Sequence, residues 1–581
     1  MTSLLLHRRD MDFLLHDWLG ADAFADRQTV DAILDLSEKL AVEAFLPHYK
    51  LADVEEPRLG ADGQVHICPA IGEALAEYAQ VGLFAAGFDE DRGGLGLPYL
   101  VCAASFAWFA AANVATAAYP MLTVANARLI TTFGTEAQFE AFARPQIEGR
   151  WFGTMCLSEP QAGSSLADVR TRAVADGADA LGNRYRLTGN KMWISGGDQD
   201  VSDNIVHLVL AKIPDADGVL PEGRAGISLF IVPKQLPDGA RNDVTVAGLN
   251  HKMGYRGTAN CLLNFGEAGG ATGWIVGEPG QGLRQMFLMM NEARIGVGIG
   301  AAALGYRSYL LSARYARERL QGRAVGTRSG PPAAIIEHPD VRAMLLQQKS
   351  YVEGALALCL YCARLVDTAA GNSDDEALLG LLTPVAKTWP SEHGLAANDI
   401  AIQIHGGYGY TRDFDVEQLW RDNRLNPIHE GTTGIQGIDL VGRKILSDGS
   451  GLPVLALRLL QTCKAAAAIP ELAHHGAALS DAWHRVTGTI DALRGCEAGA
   501  AFDNATAFLR AFGHVVMAWL WLDQAVAAAG LDRAGPDCDF ADGKLHACRF
   551  FFECELPRAL TLLTFVASRS NVASGVPARI F

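Results

Sequence analysis

The spacing of apolar and charged positions predicts helices along the first 150 residues. Residues 29–36 and 73–78 place apolar side chains at helical intervals, with charged side chains on the opposite face. Residues 93–127 carry no charge. Alanine dominates that stretch and Pro120 interrupts it, whereas a membrane-spanning helix needs about 20 strongly apolar residues. We therefore expect a buried helix pair there and no transmembrane segment.

The pattern changes near Trp151, where short strand-like runs separated by turn signals replace the helical spacing. These runs are residues 185–188, 191–195, 205–210, 227–232 and 261–265, with turn signals at 181–183, 188–190 and 237–239. Short strands at this spacing predict an antiparallel barrel or sandwich.

Helical spacing returns at Gly282 and continues to the end of the chain. Residues 286–323, 340–367 and 373–446 predict long helices, and a glycine-rich break at 448–451 predicts a linker. Because single cores rarely exceed roughly 300 residues, a chain of 581 residues should contain several domains. The pattern divides it into residues 1–150, 151–280, 281–450 and 451–581.

Composition and charge exclude several classes of protein. A net charge of −16 argues against nucleic-acid binding, because neutralising phosphates requires a basic surface. The 11 cysteines do not suggest a disulfide framework, and Cys359 and Cys362 read as two buried thiols in a helix, so no metal site is expected. Charged residues follow only three leucines at the N-terminus, which predicts no signal peptide and a cytoplasmic location. The glycines of residues 296–300 lack dinucleotide-binding spacing and indicate close helix packing.

Three segments carry the candidate chemistry: residues 155–165, 191–197 and 401–436. Taken alone, Trp193 could belong to a core, Gly406 and Gly407 could end a helix, and Glu430 could be a carboxylate near a helix N-terminus. Their occurrence together, in this order and across a helix–β–helix chain, resembles the acyl-CoA dehydrogenase family over roughly residues 10–450. The chain length, residues 9–15 and the additional C-terminal segment resemble the larger bacterial branch of that family, which includes the methylthiopropanoyl-CoA dehydrogenases.

The resemblance implies an α+β fold that is mostly α. Its parts would be an N-terminal helical domain, a middle β-barrel and a C-terminal four-helix bundle, followed here by an extra C-terminal helical domain. It implies FAD as the cofactor, bound by Met155, Ser158, Gly163, Ser164, Trp193, Ser195, Arg319, Gln403, Gly406, Gly407 and Thr432. It also implies that acyl-CoA contacts Ser164, Asn291, Arg294 and Gly431.

Particular roles within these sets follow from the same resemblance. Trp193 would pack against the flavin ring, Arg319 would meet the FAD pyrophosphate, and the Gln403–Gly407 segment would approach FAD from a neighbouring subunit. Two positions depart from the family pattern. Ser165 stands where aspartate is frequent, and Gln321 stands where phenylalanine is frequent, which puts the phosphate contact near Arg319 in question.

The resemblance assigns Glu430 as the catalytic base in the α,β-desaturation of an acyl-CoA thioester to the trans-2-enoyl-CoA. The α-proton of a thioester is weakly acidic, so charge developing on the carbonyl oxygen must be stabilised; in the family, the backbone N–H of the base does this. An apolar slot would raise the pKa of Glu430 and make it a stronger base. Apolar residues at 435, 438, 441 and 445 predict a helix after the base. His429 is expected to point outward in a structural role.

The implied partners are an electron-transfer flavoprotein and a second copy of the chain in a homodimer, with a tetramer as the alternative. The implied process is fatty acid β-oxidation, with short or medium acyl chains or methylthiopropanoyl-CoA as substrates. Two rival functions remain open at this point. An acyl-CoA oxidase would pass its electrons to oxygen, and a non-catalytic regulator would bind acyl-CoA or flavin without turnover.

Overall fold

The structure is a computed structural model. It describes residues 3–581 except 324, 327, 328, 498, 533, 534 and 536, and omits the side chains of residues 287–290. The chain divides into two compact units: the first is Gln28–Ala293, and the second joins Met1–Arg27 to Arg294–Phe581. The fold class is α+β and mostly α, with the large sheet in the middle of the chain, as predicted.

Helices precede the sheet in the first unit and agree with the amphipathic runs of the sequence. The helices of residues 27–147 are α2 Arg27–Leu40, α3 Tyr49–Val54, α4 Pro69–Gln80, α5 Tyr99–Phe133, α6 Glu136–Gln138 and α7 Arg144–Ile147; α1 is Arg8–Asp12. The uncharged stretch predicted as a buried helix pair lies in α5, in which two helices meet at a kink where Asn113 leaves helical geometry.

A small hairpin and an eight-stranded sheet provide the β structure of the first unit. The strands are β1 Arg58–Leu59, β2 Val65–His66, β3 Trp151–Cys156, β4 Arg172–Asp179, β5 Gly182–Ser195, β6 Asn204–Lys212, β7 Ile227–Pro233, β8 Val244–Leu249, β9 Asn260–Phe265 and β10 Ala271–Ile275. The strands β10–β7–β6–β4–β5 form a closed ring, because β5 also pairs with β10. Strands β9 and β8 extend the sheet from β5, and β3 runs parallel to β6. The predicted barrel is therefore present.

One predicted turn is wrong. Residues 188–190 lie inside β5, where Gly189 pairs with Phe265 of β9. A Cβ on Gly189 would lie 2.5 Å from the Thr171 hydroxyl. The glycine therefore permits a close approach between backbones and does not end a strand.

Helices make up the second unit. They are α8 Gly282–Glu318, α9 Pro339–Ala369, α10 Ser373–His405, α11 Val416–Asn423, α12 Thr433–Ile438, α13 Gly451–Ala467, α14 Ala473–Arg494, α15 Ala505–Ala529, α16 Cys538–Phe550 and α17 Leu556–Ala567. Cys359 and Cys362 are buried free thiols in α9, as predicted. A Cβ on Gly298 would lie 2.1 Å from the Ala386 carbonyl oxygen, so this glycine allows close packing of α8 and α10, as its spacing indicated.

Three helices among the described residues, α5, α8 and α15, are long and apolar enough to cross a membrane by length and composition alone. Within the most apolar stretch of each, 83–89% of the residues are buried inside the protein. Packing in the fold thus accounts for their apolar surface.

Candidate active site

Glu430 lies in a short loop between α11 and α12, and it adopts a backbone φ of +51°. Left-handed geometry costs a non-glycine residue roughly 1–2 kcal/mol and persists only where surrounding contacts enforce it. Two side chains supply such contacts: Gln436 Nε2 donates to the Glu430 carbonyl oxygen at 3.0 Å, and Lys387 Nζ donates to the Gly431 carbonyl oxygen at 2.8 Å. The loop is therefore held from both α10 and α12.

The helix predicted after Glu430 is present as α12. Thr432 is the N-cap of α12, and its hydroxyl accepts the Ile435 N–H at 3.4 Å. Of the apolar positions whose spacing predicted this helix, Val441 and Ile445 are buried, whereas Ile438 is 49% exposed. Gln436 is also buried, and its contact with the Glu430 carbonyl explains why a polar residue faces inward.

Burial raises the pKa of the Glu430 carboxyl, while the positive charges of Lys387 and Arg294 act to lower it. The Glu430 carboxyl is thus placed between a desolvating environment and two cations. His429 contributes no charge near neutral pH, because burial and the charge of Lys387 lower its pKa to about 3. Its Nε2 lies 3.0 Å from Oδ1 of the buried Asn426, so the ring does not point outward as expected, and its structural role stays a prediction.

The two predicted CoA contacts on α8 have different surroundings. Arg294 is buried, and its Nη1 donates to Asp439 Oδ2 at 2.9 Å, while its Nε has no hydrogen-bond partner among the described residues. Asn291 is half-buried and precedes Glu292, whose carboxylate pairs with Arg128 at 3.0 Å. CoA binding at Asn291 and Arg294 stays a prediction.

A cavity of about 430 Å³ in the second unit brings together several predicted cofactor residues. Arg319, Gly406 and Gly407 line it, and the Arg319 guanidinium lies 5.7 Å from the centre of the Tyr408 ring. Gly406 has φ +61° and ends α10. A Cβ on either glycine would meet no atom of the described residues within 4 Å, so both leave open space beside an exposed cation. Gln403 is exposed one turn earlier on α10.

In the first unit, the loop after β3 is fastened to β5 by a buried ion pair. Lys191 Nζ donates to Glu159 Oε1 at 2.9 Å and to the Leu157 carbonyl oxygen at 3.1 Å. Although burial acts to raise it, the charge of Lys191 and hydrogen bonds from residues 170 and 171 lower the pKa of Glu159 to about 2. These contacts fix a loop whose outer residues, Gly163 and Ser164, are exposed.

The residues where β3 leads into this loop are less accessible. Met155, in β3, and Ser158, in the loop, are half-buried, and the Ser158 carbonyl oxygen accepts the Met192 N–H of β5 at 3.0 Å. This backbone hydrogen bond also fastens the loop to β5.

Trp193 is displayed by a β-bulge. The pairing of β5 with β9 shifts between Lys191 and Ile194, and Trp193 has φ +66°. Its side chain is 58% exposed, so the ordinary reading of a core tryptophan is wrong. Beside it, Ser195 accepts a hydrogen bond from Asn260 Nδ2 at 3.3 Å. A bulge that turns an indole out of the sheet prepares a flat apolar surface for another ring.

Four family models match successive parts of the chain. They are the acyl-CoA dehydrogenase N-terminal domain over residues 50–150, the middle domain over 154–268, the C-terminal domain over 280–446, and an acetyl-CoA dehydrogenase C-terminal-like domain over 456–577.

Individual proteins agree with these matches. The 3-methylmercaptopropionyl-CoA dehydrogenase of Ruegeria pomeroyi is 33% identical, over 92% of this chain and 93% of the relative. A broad-specificity linear acyl-CoA dehydrogenase of Mycobacterium tuberculosis is 33% identical over 94% and 95%. An acyl-CoA dehydrogenase complexed with FAD from Bacillus anthracis has a TM-score of 0.74 at 20% identity, over 98% of this chain and 92% of that one. The chain belongs to the acyl-CoA dehydrogenase family, and it is an FAD-dependent enzyme that dehydrogenates acyl-CoA.

The features described above fit FAD. The exposed indole of Trp193 offers a surface for a flavin ring, and the cavity beside Arg319 offers a cation and open backbone for a phosphate. Four supporting residues were not predicted from the sequence: Glu159, Lys191, Lys387 and Gln436. Charged or amide side chains at apolar positions of a helix or strand were the signal that could have identified Lys387 and Gln436.

Proposed function

We propose that Glu430 is the base that removes the α-proton of a bound acyl-CoA thioester. The observation that carries this proposal is its left-handed backbone, fixed by Gln436 and Lys387, in a setting that raises the pKa of its carboxyl. Strained backbone held by surrounding contacts is typical of functional positions. A carboxylate whose pKa is raised is also better matched to proton abstraction near neutral pH.

The remaining groups of the chain bind and orient. FAD, when bound, supplies the acceptor for the hydride that leaves the β-carbon. Trp193, Ser195 and the Met155–Ser164 loop would hold the flavin end, and the Glu430 backbone N–H would bind the thioester carbonyl oxygen as charge develops on it. Gly431 would let the thioester lie close to the backbone because it has no side chain.

Flavin bleaching tests the base directly. After anaerobic addition of acyl-CoA, the rate of flavin reduction in the Glu430→Gln enzyme should be about 10²- to 10⁴-fold lower than in the wild type, while FAD remains bound. Glu376→Gln is the matched control, since Glu376 is an exposed carboxylate on α10. Bleaching of the Glu430→Gln enzyme at the wild-type rate would refute the assignment.

We propose further that electrons pass to an electron-transfer flavoprotein, in fatty acid β-oxidation, and that the substrates are linear short or medium acyl-CoA or methylthiopropanoyl-CoA. The names of the two relatives support this substrate range. A panel of butyryl-, octanoyl- and methylthiopropanoyl-CoA, followed by flavin absorbance, would rank the substrates. Stoichiometric peroxide release in air would instead identify an oxidase.

We also propose a cytoplasmic homodimer in which Gln403, Gly406, Gly407 and Arg319 of one subunit complete the FAD site of the other. The cavity beside Arg319 supports this arrangement, because it joins an exposed cation to the open backbone of two glycines. The free state of all 11 cysteines is consistent with a reducing compartment. Light scattering of the holoenzyme would test the dimer, and a tetramer mass would contradict it.

A further inference from the structure

Lys387 is a completely buried lysine in the middle of α10. Lysine is almost never fully buried unless its ammonium group has a partner. Here Nζ donates to the Gly431 carbonyl oxygen at 2.8 Å. Gly431 lies beside Glu430 in the loop between α11 and α12, which we call the base loop. A helix position that any apolar residue could fill is thus occupied by a cation directed at the residue next to Glu430.

The charges around Lys387 link it to the base. Glu430 is the negative charge with the largest effect on Lys387, ahead of Glu392, while Arg294 repels it. Burial lowers the pKa of Lys387 to about 8, so the side chain is cationic at neutral pH. Of the two cations that act on Glu430, Arg294 is already paired with Asp439. Lys387 is therefore the cation whose contact is made to the base loop itself.

We infer that Lys387 is a positioning residue for Glu430: its ammonium group fixes the Gly431 carbonyl and offsets the desolvation of the neighbouring carboxylate. This inference rests on the proposed function of Glu430 as the base. It assigns two effects to one side chain. The hydrogen bond holds the loop in its left-handed geometry, and the charge keeps the carboxylate deprotonated at a lower pH than burial alone would allow.

The experiment measures the rate of flavin reduction in the holoenzyme from about pH 5 to pH 8, with one acyl-CoA at saturating concentration. Lys387→Met removes both effects, Lys387→Gln keeps a donor without the charge, and Lys387→Arg keeps the charge. The acid limb is the part of the pH–rate profile in which the rate falls as pH decreases. In the Met and Gln variants we expect it to move to higher pH by about one unit or more, because a nearby cation lowers a carboxyl pKa by about that much. The Arg variant should stay near the wild type.

Lys444→Met is the matched control. Lys444 is a half-buried lysine of the same unit whose charge is not among those that act on Glu430. The acid limb of the Lys444→Met variant should coincide with that of the wild type. A purely structural role for Lys387 would lower FAD content or stability in the Met variant and leave the acid limb in place.

Two outcomes would overturn the inference: wild-type acid limbs in both the Met and Gln variants, or an equal shift in Lys444→Met. If Lys387→Met does not fold, the Gln and Arg variants decide, since equal limbs in those two contradict a role for the charge. Glu430→Gln is measured in parallel. Rapid bleaching of that variant would refute the base assignment, whereas a silent Glu430→Gln with an unshifted Lys387→Met would refute only the role of Lys387.

Discussion

Replacing Lys544 with methionine should destabilise the second unit by breaking a buried charge network. Lys544, on α16 of the extra C-terminal region, is fully buried and pairs with Asp10 near the N-terminus and with Glu353 on α9, the latter at 2.9 Å. Glu353 also pairs with Lys349, and the Tyr306 hydroxyl donates to Asp10 Oδ2 at 2.9 Å. Two acids and two bases thus meet away from water and join three distant parts of the chain.

The magnitude follows from the burial of each partner. Removing one member of a buried pair costs about 3–5 kcal/mol, because the other charge is left without compensation. Lys544 also lies within 5.3–5.7 Å of the rings of Phe13, Trp521 and Phe540, and these cation–π contacts would be lost as well. With an unfolding entropy of roughly 2 cal/mol/K per residue, a unit of about 300 residues should melt about 5–8 °C lower.

The dependence on pH distinguishes a charge effect from a packing effect. Burial raises the pKa of Asp10, and Lys544 acts to lower it. Without Lys544 the folded pKa of Asp10 lies further above its unfolded value. The stability contributed by the protonated Asp10 carboxyl is then present at low pH, and it is lost as pH rises through the folded pKa of Asp10. The melting-temperature difference from wild type should therefore be larger at pH 8 than at pH 5, as measured by thermal unfolding with saturating FAD.

Lys464→Met is the control, because Lys464 is an exposed lysine on α13 and its replacement should change stability by less than about 0.5 kcal/mol. Adding Asp10→Asn to Lys544→Met should restore part of the lost stability, since no uncompensated charge then remains at residue 10. A melting temperature of Lys544→Met equal to that of Lys464→Met at both pH values would refute the reasoning.

Two further predictions concern the cofactor residues. Arg319→Ala should weaken FAD binding by about 10- to 100-fold, as the loss of a charge-assisted phosphate contact of about 1.5–3 kcal/mol implies, and FAD titration should show no such loss for the neighbouring exposed Arg317→Ala. Equal affinities would place the phosphate elsewhere. The pKa of the Glu159 carboxyl is lowered to about 2. The ionised carboxyl should therefore contribute up to about 3 kcal/mol to the free energy of unfolding above about pH 4.5, and this contribution should be lost as pH falls toward 2. Glu159→Gln should flatten this acid dependence of the melting temperature, and an unchanged slope would count against it.

The order of helical and strand segments could be read from the chain because local periodicity reflects which face each element buries. The strands of the barrel that are continuous apolar runs, such as β6 and β7, were located within a few residues. Strands β3, β4, β8 and β10 of the large sheet were missed, and each contains a glycine that interrupts its strand pattern. The glycine inside β5 was mistaken for a turn, because its function depends on Thr171 in another segment.

The candidate site divides in the same way. Motif spacing identified Glu430, Trp193, Arg319 and the Gly406–Gly407 pair, since a family resemblance depends on residue types in order. It did not identify Lys387 or Glu159. The sequence around each residue does not show which distant segment its side chain contacts. Their partners lie 44 and 32 positions away along the chain.

The sequence by itself determined the class of enzyme, its element order and the identity of its candidate base. Only the tertiary structure decided how that base is held. The left-handed backbone of Glu430, the buried cation beneath it and the indole displayed by a bulge each arise from contacts between distant segments. Desolvation and charge interactions depend on distance in space, so the environment that adjusts the base becomes visible only when the chain is folded.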